Sequence, residues 1–268
     1  MPLSADSIDR ATYRRNPVGA ILAVMPELEP LFRTYQDHFR HKLAENPLCP
    51  PQVMRLLAYD TGHVLWQLAA NPQLDVAAME RIADEAEHGV EWGNARPDPM
   101  AMGCVLRNPR CPEHLMRMFS HTHPSPIANH PDCPPDLLHQ FSLDVTDHNI
   151  LCSVARHPTS TTETLLNLLD RRSRNVERMA RVALAKRGPA AVRAAMLRTD
   201  TRGRRHLAEL IDAAERRDLA RDPDPLIRLA IAKVTDDVPL LRVLAADPHG
   251  RVRRAASDRV MSELAIPG

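Results

Sequence analysis

The sequence predicts an all-α fold: an array of short helical repeats, each a turn followed by one amphipathic helix. Three observations predict it. First, a phrase of the form aliphatic–small–any–(Asn, His or Asp)–Pro occurs seven times, at Leu43–Pro47, Leu68–Pro72, Val105–Pro109, Ile127–Pro131, Val154–Pro158, Leu219–Pro223 and Leu244–Pro248. Second, in the first four copies apolar residues return at +6, +7 and +10 from the proline, and in the fifth at +7 and +10, spacings that place them on one helical face. Third, the chain has few aromatics (two Trp, three Tyr, four Phe) and 24 prolines, many at fixed repeat positions. Proline is tolerated in the first turn of a helix, so prolines in register count helix starts rather than disorder.

Residues 1–42 lack the phrase and predict an N-terminal helical cap over the open apolar face of the first repeat. Within it, Ser4 to Arg15 reads as one helix. Asn16-Pro17 supplies a cap residue and an N1 proline for an apolar helix ending at Met25. A long amphipathic helix is expected from Glu27 to Leu43, with Leu28, Leu31, Phe32, Tyr35, Phe39 and Leu43 on one face.

The repeats occupy residues 43–170. Their +6, +7 and +10 positions are Val53, Met54 and Leu57; Ala78, Met79 and Ile82; Leu115, Met116 and Phe119; Leu137, Leu138 and Phe141; Thr164, Leu165 and Leu168. Burying three such side chains is worth roughly 1.5–3 kcal/mol each, too little to order an isolated unit of this size against backbone entropy, so stacking is required. At the anchor, Asn, Asp or His can accept a backbone N–H while proline fixes the next φ, giving a tight turn. The helix is then expected at +2 or +3, at Cys49-Pro50, Cys111-Pro112, Cys133-Pro134 or the capping sequence Ser160-Thr161-Thr162-Glu163. One longer step between anchors is an insertion between Asp84 and Met102 that carries Trp92, either a buried structural ring or a binding handle.

These residues resemble the leucine-rich repeat variant family. Leu43–Ala58, Val105–Phe119, Ile127–Phe141 and Val154–Leu169 match its repeat, with Cys in place of the usual Thr in three copies. The resemblance implies a right-handed α-solenoid of α-helices alternating with 3₁₀ turns. Some members carry an iron–sulfur segment rich in cysteine ahead of the repeats; no Cys precedes Cys49, so no cofactor is expected. Residues 171–268 are read as a continuation of the same array. A basic helix Val176–Lys186, a helix Ala190–Leu197 and a long helix Thr201–Leu219 lead to the last two anchors, where Asp222-Pro223 and Asp247-Pro248 begin segments that resemble HEAT-type helical repeats.

Charge divides the chain. Residues 1–170 carry 13 basic and 21 acidic residues, and residues 171–268 carry 22 and 13. The stretch 171–221 alone holds 15 basic residues against six acidic ones, with no Phe, Tyr or Trp to stack bases. Arg171, Arg172, Arg174, Arg178, Arg181, Arg202, Arg204 and Arg205, together with Trp92, are therefore the candidate binding residues.

No nucleophile elbow, P-loop, zincin helix or dinucleotide fingerprint occurs, so no catalytic residue is assigned and enzymatic activity is not expected. Cys49, Cys111 and Cys133 sit at equivalent repeat positions, too far apart in a stack to share an ion. His121, His123 and His130 match no closed zinc spacing, and no metal site is expected. The odd cysteine number, no membrane-length apolar run and no signal-peptide cleavage site after Val18–Met25 predict a cytoplasmic protein. The function expected is a non-catalytic scaffold binding a protein or peptide on its concave surface. The alternative is a nucleic-acid-binding helical-repeat protein that uses the arginine-rich stretch, with a DNA-glycosylase-like enzyme as one form of it.

Overall fold

The anchor phrase folds the same way in each of its first five copies. The anchor residue stands at or just past the end of one helix, and its carbonyl accepts the N–H three residues on: Cys49 to Asn46 at 2.9 Å, Leu74 to Asn71 at 3.0 Å, Cys111 to Asn108 at 2.8 Å, Cys133 to His130 at 3.0 Å and Ser160 to His157 at 3.2 Å. Its side chain meanwhile accepts the N–H two residues on, as in Leu48 to Asn46 Oδ1 (2.9 Å), Gln73 to Asn71 Oδ1 (3.0 Å) and Asp132 to His130 Nδ1 (3.1 Å). Asn or Asp at the first position and Pro at the second are what such a turn favours, because the side chain closes a second ring and proline presets φ.

This computed structural model describes residues 3–88, 99–171 and 173–264. Their regular secondary structure is entirely helical, with no strand among them. Trp92 and Arg172 lie outside the described residues.

The chain divides into two compact units, Met1–Leu137 and Leu138–Gly268. The first holds α1 (Arg10–Arg15), α2 (Pro17–Val24), α3 (Glu29–Tyr35), α4 (Phe39–Glu45), α5 (Pro51–Leu57), α6 (Gly62–Ala70), α7 (Val76–His88), α8 (Pro99–Val105), α9 (Glu113–Met118) and α10 (Pro124–Ala128). The division falls inside α11 (Pro135–Asp144). The second holds α12 (His148–Arg156), α13 (Thr162–Leu169), α14 (Arg174–Ala185), α15 (Pro189–Arg198), α16 (Thr201–Leu210), α17 (Ala213–Leu219), α18 (Pro225–Val234), α19 (Val238–Leu244) and α20 (Gly250–Leu264). Within each unit, alternate helices pack side by side: α4 on α6 and α6 on α8 in the first, and α12, α14, α16, α18 and α20 in succession in the second.

The expected core of the repeats is the observed one. Every +6, +7 and +10 residue named above is buried, and so are the aliphatic and small residues of the first six phrases. The helix starts differ from expectation. In the first five copies the helix begins at +4, because the anchor turn uses the proline and +1, the buried Cys, Leu or Ser stands at +2, and the residue at +3 is the cap, as Pro50, Pro112 and Thr161 are. Only the two Asp copies start at +2, at Pro225 and Gly250.

Three long helices are also interrupted. Ser4–Arg15 breaks where Asp9 caps α1 by accepting the Thr12 N–H at 2.7 Å. Glu27–Leu43 breaks at Gln36, whose φ of 43° lies in the left-handed region, so Phe39 and Leu43 are buried while Tyr35 turns to solvent. Thr201–Leu219 breaks at Asp212, which forms a capping box with Glu215 at the start of α17, while Ile211 is drawn into the core. At the N-terminal end, Tyr13 donates its hydroxyl to Asp60 at 2.8 Å, and the same carboxylate pairs with Arg40.

Candidate functional site

The anchors of the first unit do more than close turns. The Asn71 amide donates to the carbonyls of Ala44 and Asn46, both at 2.9 Å; Asn108 donates to the Asn71 carbonyl at 2.8 Å, and His130 Nε2 lies 2.8 Å from the Asn108 carbonyl. Each anchor is thus tied to the backbone of the preceding one, and the chain of bonds runs Asn46–Asn71–Asn108–His130. Asp cannot donate in this way, and arginine replaces the amide in the later copies. Arg228 gives Nη1 to the Asp222 carbonyl at 2.7 Å, while its Nε (2.7 Å) and Nη2 (2.9 Å) hold the Asp247 carboxylate. Arg253 donates to the Asp247 carbonyl at 2.8 Å, and Arg193 Nε reaches Asp222 at 2.5 Å. Arg228 beside it holds the Asp247 carboxyl below its ordinary range.

Other arginines of the basic stretch are occupied at helix C-termini, where carbonyls lack intrahelical partners and cations are favoured. Arg171 Nε donates to the Ser142 carbonyl at 3.0 Å and Nη2 to that of Leu143 at 2.5 Å, at the end of α11. Arg204 Nε takes the Met196 carbonyl of α15 at 2.9 Å. Arg171 and Arg204 are therefore helix clamps, and neither lines the cleft that the other arginines share. Arg216 Nε does the same for Ala208 of α16 at 2.9 Å.

Arg174, Arg178, Arg181, Arg202 and Arg205 come together. On α14, Val176, Ala180 and Leu184 are buried, and the basic residues at steps of four and three occupy another flank. On α16, Gly203, Leu207 and Ala208 are buried, leaving Arg202, Arg205, His206 and Glu209 on the outer face. Between the two helices lies a cleft of about 600 Å³ lined by these five arginines with Glu177, Asp200, His206 and Glu209. Gly203 allows the approach, since a Cβ there would stand 2.7 Å from Thr199 Cβ and 3.0 Å from Arg181 Nη2.

Five arginines against three acids leave the lining at a net charge of +2, with His206 neutral. Two arginines are internally paired: Arg181 with Glu177 at 2.9 Å and Arg205 with Glu209 at 3.0 Å. Asp200 caps α16 through the Gly203 N–H at 2.7 Å. Arg174, Arg178 and Arg202 are exposed and have no ion pair among the described residues. Arg181 Nε is buried without a hydrogen-bond partner among them. The cleft is thus a bed of guanidinium donors for an anionic group, with no hydroxyl, thiol or amine nucleophile in its lining. Sequence reasoning missed Glu177, Asp200, His206 and Glu209. Glu177 and Glu209 stood in the sequence four residues from Arg181 and Arg205 respectively, the spacing of helical ion pairs.

The residues that first attract a metal reading are engaged in structure. Burial pushes the thiols of Cys49, Cys111 and Cys133 up to about 12, and each Sγ lies 3.7–3.8 Å from the carbonyl of the proline after it. His130 uses both ring nitrogens in the anchor bonds. Among the described residues, no group of three or more His, Cys, Asp or Glu side chains is placed to hold a metal ion, and no helix is long and apolar enough to cross a membrane. A scan against protein-family models and searches of curated proteins and solved structures find no match to the chain.

Proposed function

We propose that the chain is a non-catalytic helical-repeat scaffold that holds an acidic segment of a protein partner in the α14–α16 cleft. In this reading it is a right-handed α-solenoid of the leucine-rich repeat variant type grading into HEAT-like repeats, with residues 1–42 as its N-terminal cap. Side-by-side packing of alternate helices and the anchor-to-anchor bonds support the repeat architecture. The observation that carries the function is the three exposed, unpaired guanidiniums of Arg174, Arg178 and Arg202 converging on one cleft. Guanidinium forks bind carboxylates in bidentate geometry. A nucleic-acid backbone is a poorer fit, because Glu177, Asp200 and Glu209 stand among the arginines and would repel a continuous row of phosphates.

Fluorescence anisotropy tests the assignment with two probes, a labelled oligoglutamate peptide and a random DNA duplex of two helical turns. The peptide is expected to bind, with binding weakened by salt and reduced on the order of tenfold or more in R174E/R178E/R202E. Duplex binding as tight as the peptide's, with a steep salt dependence removed by the same variant, would replace this reading with the nucleic-acid one. Binding of neither probe would refute both.

A further inference from the structure

We infer a second binding site on the opposite flank of α14, a groove that takes a short acidic peptide carrying an aliphatic side chain. It lies between the end of α12 with its anchor turn and the C-terminal half of α14, with a volume of about 420 Å³. Met179, Val182 and Ala183 form its apolar floor, Pro158 is one wall, and Arg156 and Lys186 stand at its rim. No carboxylate lines it. The site is independent of the cleft toward α16, whose arginines occupy the other side of the helix.

The groove exists because the repeat is interrupted there. Val182-Ala183 reproduces the aliphatic–small pair of the anchor phrase, but α14 runs on to Ala185, and the proline arrives late, at Pro189 behind Gly188. Gly188 adopts a φ of 90°, which only glycine reaches readily. No Asn, His or Asp anchor is delivered against the His157–Ser160 turn. Arg187 serves instead, donating Nη2 to the Pro158 carbonyl at 3.4 Å and to that of Ser160. Met179, Val182, Ala183 and Lys186 stand at steps of three, four and seven along α14, the spacing of a face that elsewhere packs on a neighbour, yet the first three remain partly exposed. Apolar surface left open beside fixed cations is the pattern that receives an amphipathic acidic peptide.

Charge complementarity selects the occupant. Lys186 and Arg156 are exposed and make no ion pair among the described residues; only the Arg156 Nε is used, on the Cys152 carbonyl at 3.2 Å. A carboxylate on each side of a buried aliphatic residue satisfies both. A basic or wholly polar peptide satisfies neither the rim nor the floor.

Carbon-13 labelling of the methionine methyl groups gives a direct readout, with the Met179 resonance assigned by its loss in Met179→Leu. The probe is the peptide Glu-Glu-Leu-Leu-Glu-Glu, compared with Glu-Glu-Ser-Ser-Glu-Glu and Lys-Lys-Leu-Leu-Lys-Lys. The leucine–glutamate peptide is expected to shift the Met179 resonance saturably and the other two to leave it in place. Its affinity is expected to fall on the order of tenfold or more in R156E/K186E, and to be unchanged in R174E/R178E/R202E. An unmoved Met179 resonance, an equal response to the serine peptide, or full retention in R156E/K186E would overturn the assignment. Retention in R174E/R178E/R202E separates this site from the proposed function, in which that variant weakens binding.

Discussion

Replacing Asn108 measures what the anchor contributes. The side chain is 5% exposed and makes two bonds, Nδ2 to the Asn71 carbonyl at 2.8 Å and Oδ1 from the Arg110 N–H at 3.0 Å. In Asn108→Ala both are lost. The Asn71 carbonyl keeps the Leu74 N–H at 3.0 Å and is not orphaned, whereas the half-buried Arg110 N–H loses its acceptor. Two bonds at about 1 kcal/mol each, with up to about 1 kcal/mol more for the stranded donor, give a loss of about 2–3 kcal/mol. Asn108→Asp has the same shape but sets a desolvated carboxylate oxygen against the Asn71 carbonyl, with none of the arginine partners that Asp222 and Asp247 possess. It should therefore cost more than alanine at neutral pH, about 3–5 kcal/mol. In the fold this carboxyl is pushed up, so the penalty is full above its raised folded value and is relieved as pH falls through it, when the protonated oxygen can donate to Asn71. Urea denaturation followed by circular dichroism at neutral and mildly acidic pH reads both effects, with each transition fitted separately where more than one occurs. An alanine variant within about 0.5 kcal/mol of the parent, or an Asp variant milder than alanine at neutral pH, would refute the reasoning.

Two more outcomes follow from the second unit. Asp247 is depressed chiefly by its hydrogen bonds from Arg228, so its stabilisation is present above the ordinary carboxylate range and is lost as pH falls from there through the lower folded value. The difference in Tm between the parent and Asp247→Asn should narrow through that acidic window, and a gap constant from neutral to strongly acidic pH would contradict it. Gly203→Ala should lower stability by about 1–3 kcal/mol by forcing α16 off Thr199 and Arg181. Gly250→Ala, which meets only the flexible end of Arg253 at 3.7 Å, should be nearly neutral, and equal thermal shifts for the two variants would argue against close packing at Gly203.

Local chemistry was legible in the sequence because it is written at fixed spacing. The anchor turn, the buried triplets after it and the Asn16-Pro17 helix start all depend on residues within a dozen positions of one another. What escaped is set by contacts across helices. The sequence shows that Asn71 can accept an N–H two residues on, but not that its amide also reaches Ala44 and Asn46, 27 and 25 positions away. Arg171 and Arg204 looked like surface charges of the same kind as Arg174 and Arg202; only the placement of the ends of α11 and α15 turns them into carbonyl clamps. The breaks at Gln36 and Asp212 fall inside stretches whose apolar spacing continues undisturbed, so periodicity alone ran through them. One signal was available and unread: in both Asp copies an arginine stands six residues after the anchor and returns to its carbonyl, as Arg228 and Arg253 do.

The two ways of joining anchors have different consequences for how the chain can change. In the first unit the donor reads only a main-chain oxygen, which every residue possesses. A unit of this kind can be duplicated, deleted or exchanged, and its new neighbour will still present the oxygen it needs. Between Asp222 and Asp247 the link passes through a guanidinium and a carboxylate, two side chains that must be inherited together. The amino-terminal half is thus a modular alphabet, free to lengthen or shorten, while the carboxy-terminal half is bound by its own pairings and can drift only in concert.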